Sequence, residues 1–277
     1  MVHIAELDTA PATIEANLIY LADGADKLVT YVAAPGGRDE RTGGGGETHR
    51  VVIHNGRPLA SGFVFEREGF RFLPHHTNLA DFFDDAAVRR VYYPECEALI
   101  KEVSGAKRVV VFDHTLRTAS DEQRETQKIR DVVRRVHNDY TEWSGPQRVR
   151  DVMGAEAEEL LRGRFAIIQV WRPINHPVES HPLAICDAQT VRAETLVVNE
   201  RRYQGRTGQT YGITYDPGQR WYWFPQMRPD EALVFKVYES VKDGRARWTA
   251  HTAFEDPTAP PHPRPRESIE IRTLAFF

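Results

Sequence analysis

From residue 164 to the C-terminus the chain is a succession of short β-type runs, and that succession restricts the fold more than any other feature. The runs are 165–172 (FAIIQVWR), 183–187 (LAICD), 193–199 (AETLVVN), 209–215 (QTYGITY), 220–225 (RWYWFP), 232–239 (ALVFKVYE), 246–253 (ARWTAHTA) and 267–276 (ESIEIRTLAF). Each is rich in β-branched and aromatic residues, which suit a pleated, half-buried surface. Turn residues separate them, among them Asp216-Pro217-Gly218 and Asp243-Gly244. Many short strands at even spacing must bury their edges, and a double-sheet barrel or jelly roll does so. The expected class is therefore mainly β with flanking helices.

The N-terminal part adds strands and helices to pack on that barrel. Residues 16–33 hold short apolar runs (NLIYLA, LVTYVAA), and Val51–Ile53 is extended before an Asn55-Gly56 turn. Pro35–Glu47 (PGGRDERTGGGGE) reads as a mobile surface loop. A hairpin is expected within 63–73, turning at Glu68-Gly69. His75 and His76 follow in a loop, where adjacent imidazoles would point to opposite faces of an extended chain. Leu79–Val103 reads as two helices, one capped by Asn78 and one opened by Pro94, ended by Gly105. Arg108–Phe112 is a buried-type strand, 113–135 a polar surface segment, and Ser144–Gly163 a helix with an early Pro and a terminal Gly. The expectation is one domain over 1–277, with 1–107 packing on a core of 108–277.

Composition excludes several partners. The net charge of −4 gives no electrostatic footprint for nucleic acid, and the arginine pairs Arg134–Arg135 and Arg201–Arg202 read as solvated surface. No stretch approaches the length of a membrane span, and the first residues have no secretory pattern. Two distant cysteines, Cys96 and Cys186, suit a reduced, cytoplasmic setting.

Within this frame, Val136–Thr141 (VHNDYT) places His137 and Asp139 two residues apart. On a strand both would face one point. A further imidazole there would complete a 2-His-1-carboxylate facial triad, the ligand set of non-haem Fe(II) oxygenases. His176, His181 and His251 are the candidates. The first two lie in a Pro-rich loop, NHPVESHP, whereas His251 lies in an extended segment at a barrel mouth, so His251 is chosen. Fifteen residues later, Arg266 and Ser268 share a face of the last strand. A guanidinium fork and a hydroxyl can seat a carboxylate such as the distal end of 2-oxoglutarate. Arg272 on the same face ranks behind Arg266, and Arg172 could bind a carboxylate or form a structural ion pair.

VHNDYT, Val170-Trp171-Arg172-Pro173, PLAICDAQTV, RWYWFPQM with PDEALVFKVYES, and HTAFEDP with PRESIEIR together resemble one family. It comprises the fungal and bacterial secondary-metabolism oxygenases related to gibberellin desaturase and to the cephalosporin 7α-methoxylation component. The resemblance runs from about residue 108 to the C-terminus. It implies a double-stranded β-helix (jelly roll) and Fe(II)/2-oxoglutarate-dependent oxidation using O2. Iron would sit on His137, Asp139 and His251, and 2-oxoglutarate on Arg266 with Ser268. The carboxylate at 139 argues against halogenation, because the halogenases of this superfamily carry Ala or Gly there. Hydroxylation, desaturation or oxidative ring chemistry on a small-molecule secondary metabolite is the reaction implied.

Other residues have plainer readings. Thr141 shares the ligand face but can serve barrel packing. Trp221, Tyr222 and Trp223 could wall a substrate pocket but are usually core in strands. His54 and His114 read as solvated or hydrogen-bonded. Substrate contacts are expected from segments 35–47, 113–135, 174–182 and 200–210. The main alternative is a non-catalytic jelly-roll binding protein or accessory subunit of a biosynthetic enzyme. A Zn(II) hydrolase using the same triad is weaker.

Overall fold

The computed structural model describes residues 10–24, 28–33, 37 and 39–277. Among them the strands are β1 (Thr13–Leu21), β2 (Leu28–Tyr31), β3 (Glu40–Thr42), β4 (Gly46–Asn55), β5 (Phe70–Pro74), β6 (Arg108–Thr118), β7 (Arg130–Asp131) and β8 (His137–Asn138). The second half supplies β9 (Phe165–Pro173), β10 (Leu183–Cys186), β11 (Leu196–Tyr203), β12 (Arg206–Ile213), β13 (Trp221–Trp223), β14 (Glu231–Glu239), β15 (His251–Ala253) and β16 (Glu267–Phe276). Two helices matter most, α1 (Tyr93–Ser104) and α2 (Ser144–Met153).

The strands form two sheets. One has ten strands in the order β1-β4-β13-β10-β15-β8-β12-β11-β2-β3, and the other has six in the order β5-β14-β9-β16-β6-β7. This is the mainly β, double-stranded β-helix that the strand spacing calls for. Strand parity sorts the six-stranded sheet into two faces. Phe165, Ile167 and Trp171 of β9 and Leu274 and Phe276 of β16 meet Ile185 and Tyr222 of the other sheet. Ala166, Ile168, Val170, Ile269 and Ile271 face outward onto Leu99 and Ile100 of α1. Residues 169 and 272, cross-strand partners, therefore lie on the inner face, and residue 172 on the outer.

Several local expectations are corrected. Pro35, Gly36 and Arg38 of the Gly-rich stretch lie outside the described residues, but its remainder includes β3 and the first residues of β4. In place of a 63–73 hairpin, Phe65–Glu68 is one helical turn, ended by Gly69 at φ 86° before β5. Asn78 caps nothing. Asp84 caps the helical stretch instead, its side chain accepting from the Ala87 N–H. That stretch passes through a wide π turn at Val88–Tyr92 directly into α1, and Pro94, just after the π turn, has no N–H to donate to the preceding turn. The polar segment after residue 112 continues β6 to Thr118 and adds a helix at Asp121–Gln127. Of the 246–253 run, only His251–Ala253 is strand.

The helix after the VHNDYT stretch is tied to it. The Thr141 N–H donates to Ser144 Oγ at 2.9 Å and the Ser144 N–H donates to Thr141 Oγ1 at 3.1 Å. This reciprocal pair satisfies two donors at the start of α2. Gly145 lets α2 approach the sheet, because a Cβ there would come within 2.4 Å of the Tyr238 ring.

Candidate metal centre

β8, β15 and β10 bring the two histidines together. His251 is the cross-strand partner of His137 on one side and of Ile185 on the other. The two imidazole centroids are 4.3 Å apart. Asp139 sits at the bend that follows β8, so the two-residue spacing works although the strand covers only His137 and Asn138. Asn138, between the ligands and fully buried, donates its amide to the Tyr140 and Val237 carbonyls at 2.8 and 2.9 Å. Those two bonds hold the bend in place.

One ligand atom from each of His137, Asp139 and His251 lies within 4.8 Å of the others. The ring orientations suit a metal. His137 Nδ1 lies 2.8 Å from the Arg135 carbonyl and His251 Nδ1 lies 2.9 Å from the Thr249 carbonyl. A carbonyl oxygen only accepts, so each Nδ1 carries the hydrogen and each Nε2 presents a lone pair. Burial, followed by the neighbouring His137, pushes the pKa of His251 down to about 4, which keeps it neutral. Burial opposes ionisation of Asp139, but the adjoining His137 ring and the Arg272 guanidinium prevail and hold its carboxyl well below the usual range. The set is thus two imidazoles and a carboxylate, the donor chemistry of a divalent-iron site.

A residue that sequence reasoning passed over completes the support. Gln169 of β9 donates its amide to Asp139 Oδ2 at 2.5 Å. Its signal was present: a single amide inside the apolar run FAIIQVWR. Arg272, opposite Gln169 in the sheet, lies 3.7 Å from the same Oδ2 and pairs with Asp113 at 2.9 Å and with Glu270.

Arg266 and Ser268 lie on the inner face with Arg272, buried at 2% and 1% exposure. The Arg266 guanidinium lies over Trp171, 5.4 Å from the ring centroid, and donates to the His181 carbonyl at 2.7 Å. Arg266 Nε and Ser268 Oγ have no protein partner. Burial first, and then nearby Arg117, push the Arg266 pKa down to about 9. A buried cation with an unpaired Nε–H and a buried hydroxyl without a partner form a seat for an anion. Arg172 does not join them. It projects from the outer face, bonds the His75 and Pro229 carbonyls, and lies over Tyr92 at 5.4 Å.

The remaining candidates fall elsewhere. His176 lies near Glu267, and His181 contributes a carbonyl rather than its ring to Arg266. Trp221 and Trp223 are fully buried in a separate cluster with Leu18 and Ile53. Thr141 bonds Ser144 and Gln209 rather than a ligand. His114 bonds the Tyr93 hydroxyl.

A cavity of about 720 Å³ opens beside His137 and Asp139. Residues from 113–136, 199–212 and the strand at Arg41 line it, but none from 174–182. Arg134, Arg135 and Arg201, expected on a solvated surface, are among its walls. No helix among the described residues is long and apolar enough to cross a membrane.

Comparison with known proteins agrees with this fold. A family model described as "Oxidoreductase/YMDC permease-like domain" matches residues 18–276. The chain is 33% identical over 235 residues to the Fe(II)/2-oxoglutarate-dependent dioxygenase nvfI of Aspergillus novofumigatus, covering 82% of this chain and 83% of that one. It is 33% identical over 253 residues to the hydroxylase/desaturase CTB9 of Cercospora beticola, covering 83% and 77%. The solved structure of the iron and alpha-ketoglutarate-dependent endoperoxidase NvfI superposes with a TM-score of 0.85 at 28% identity, covering 96% of this chain and 99% of that one.

Proposed function

The chain belongs to the Fe(II)/2-oxoglutarate-dependent dioxygenases, and from that membership we propose that His137, Asp139 and His251 hold its iron. The enzyme uses Fe(II), 2-oxoglutarate and O2 to oxidise a small molecule, as its relatives in secondary metabolism do. The observation that carries the ligand assignment is the pair of Nδ1–carbonyl hydrogen bonds, which leave the Nε2 of each ring free for a metal shared with the Asp139 carboxylate. The iron supplies O2 activation coupled to decarboxylation of 2-oxoglutarate.

What this chain's residues contribute follows from their placement. Arg266 and Ser268 seat the distal carboxylate of 2-oxoglutarate, since both are buried on the ligand-bearing side and have donors to give. Gln169 and Arg272 hold Asp139 ionised and fixed in direction. The cavity beside His137 and Asp139 receives the substrate and brings one C–H bond to the centre. Names of the relatives include hydroxylase/desaturase and endoperoxidase. Hydrogen removal from carbon is the step proposed here, ending in hydroxylation or desaturation, and the retained Asp139 leaves no ligand position for halide.

The test is succinate formation from 2-oxoglutarate in the presence of Fe(II) and O2, compared with His137→Ala. Succinate from the native enzyme but not from the variant supports the assignment. Turnover retained by the variant excludes His137 as a ligand.

A further inference from the structure

The cavity beside the metal centre has a wall whose charge opposes that of the chain. The whole sequence carries −4, yet the cavity is lined by ten arginines and five aspartates, with no lysine or glutamate. Some of these arginines are neutralised within the protein: Arg134 by Asp131 at 3.1 Å, and Arg201 by Asp39 at 3.2 Å. Others are not. Among the described residues, Arg41 and Arg130 have no hydrogen-bond or salt-bridge partner, and Arg135 meets only the Gly44 carbonyl at 3.2 Å.

These unpaired cations form one group. Arg41 and Arg201 register against Thr30 from its two sides, so they share a sheet face. Arg130 registers against Arg117 where β7 joins β6. Arg41 feels the like charges of Arg135 and Arg201, and burial followed by Arg117 lowers the pKa of Arg130. Arg41 sits exposed at the rim and Arg130 is half-buried. Solvated arginines ordinarily spread apart or pair with carboxylates, and like charges held together cost free energy. An anion entering the cavity would relieve that repulsion, and a guanidinium group suits a carboxylate or phosphoryl oxygen pair. Tyr203 and Trp143, also on the wall, offer aromatic surface to an apolar body; Trp143 is 49% exposed.

We propose that the substrate is an organic anion whose carboxylate or phosphoryl group is held at the cavity mouth by Arg41, Arg130 and Arg135 while its apolar body reaches inward to His137 and Asp139. The proposal rests on the reading of that cluster as the iron site, because only then is the cavity a substrate cavity.

The experiment measures equilibrium binding to the full chain of three probes: 1-naphthylacetate, 1-naphthyl phosphate and the uncharged 1-naphthylacetamide. It is run on the metal-free protein and again on protein loaded anaerobically with Fe(II) and 2-oxoglutarate. Each anion should bind at least about tenfold more tightly than the amide, with a preference that weakens as salt is raised. The tighter anion identifies the substrate's head group. Arg41→Gln/Arg130→Gln should abolish the preference while leaving 2-oxoglutarate affinity and thermal stability unchanged, since neither side chain makes a bond within the described protein. Equal binding of acid and amide, or no binding of either anion, overturns the proposal. So does a double variant that keeps the anion preference, or one that loses 2-oxoglutarate affinity, which would make the arginine group a cosubstrate site. Failure of the native protein to develop the Fe(II)–2-oxoglutarate charge-transfer absorbance, with anion preference intact in the metal-free protein, would refute the iron-site reading instead.

Discussion

Gln169 donates its side-chain amide to Oδ2 of Asp139, 30 residues earlier in the chain, at 2.5 Å. The bond joins the middle of the six-stranded sheet to the bend that carries the carboxylate. A carboxylate fixed at one oxygen presents the other in a constant direction. Gln169→Leu keeps the volume and removes the donor. Partners of this kind typically contribute 10–100-fold in metal affinity or activity. We therefore expect anaerobic Fe(II) affinity to fall by about tenfold or more with little change in secondary structure. Unchanged affinity would leave Arg272 as the sole support of Asp139.

Arg266→Ala should raise the apparent KM for 2-oxoglutarate while leaving Fe(II) binding intact. A hydrogen bond to a charged group contributes about 1.5–3 kcal/mol, so the rise should be about tenfold or more. Arg266→Lys should recover part of the loss, because the charge returns without the fork. If cosubstrate affinity does not move, the anchor passes to Arg272, the inner-face arginine of β16.

The metal-free protein should lose stability as pH falls from about 6.5 toward 4. His251 is held neutral in the fold, with its pKa pushed down to about 4, whereas the unfolded chain takes up a proton near the ordinary value of about 6.5. Between those values the unfolded state binds more protons, so the fold weakens as pH falls. Asp139 acts in a separate window. Its depressed pKa contributes stability above the ordinary carboxylate value, and this is lost only as pH falls below it. Thermal unfolding of metal-free His251→Gln should show a flatter slope across pH 6.5 to 4. An equal slope in both proteins would assign the effect to another group.

Gly145→Ala should destabilise the fold without touching the site directly. The added methyl would meet the Tyr238 ring at 2.4 Å. Overpacking of this kind costs about 1–3 kcal/mol. For a chain of this size that lowers Tm by a few degrees per kcal/mol, roughly 2–4 °C each. A Tm unchanged within error would mean that α2 can shift away from β14 at no cost.

Much of this molecule is legible in its sequence, and the reasons differ by residue. The strands after residue 164 stand out because their β-branched and aromatic runs are bounded by turn residues. The His137–Asp139 pair is local, so spacing alone finds it. His251 has to be found across 112 residues, and its extended segment singles it out from the loop histidines. The face on which Arg172 lies is not readable, because every residue of β9 is buried and both faces of that strand look alike. The second half of β11 and the start of β12 read as loop because ERRYQGR is charged, yet these residues pair as a hairpin with only one face covered. The carbonyls of Arg135 and Thr249 that orient the imidazoles are backbone groups, and no residue type announces them.

The most direct test of the iron assignment is an anaerobic titration with Fe(II) in the presence of 2-oxoglutarate, followed by the visible charge-transfer absorbance that forms when 2-oxoglutarate chelates iron. The native protein should bind one Fe(II) per chain and develop the band, and His137→Ala, Asp139→Ala and His251→Ala should each lose it or weaken it severely. A band of full intensity in His137→Ala and His251→Ala would contradict the account, because the iron would then lie elsewhere.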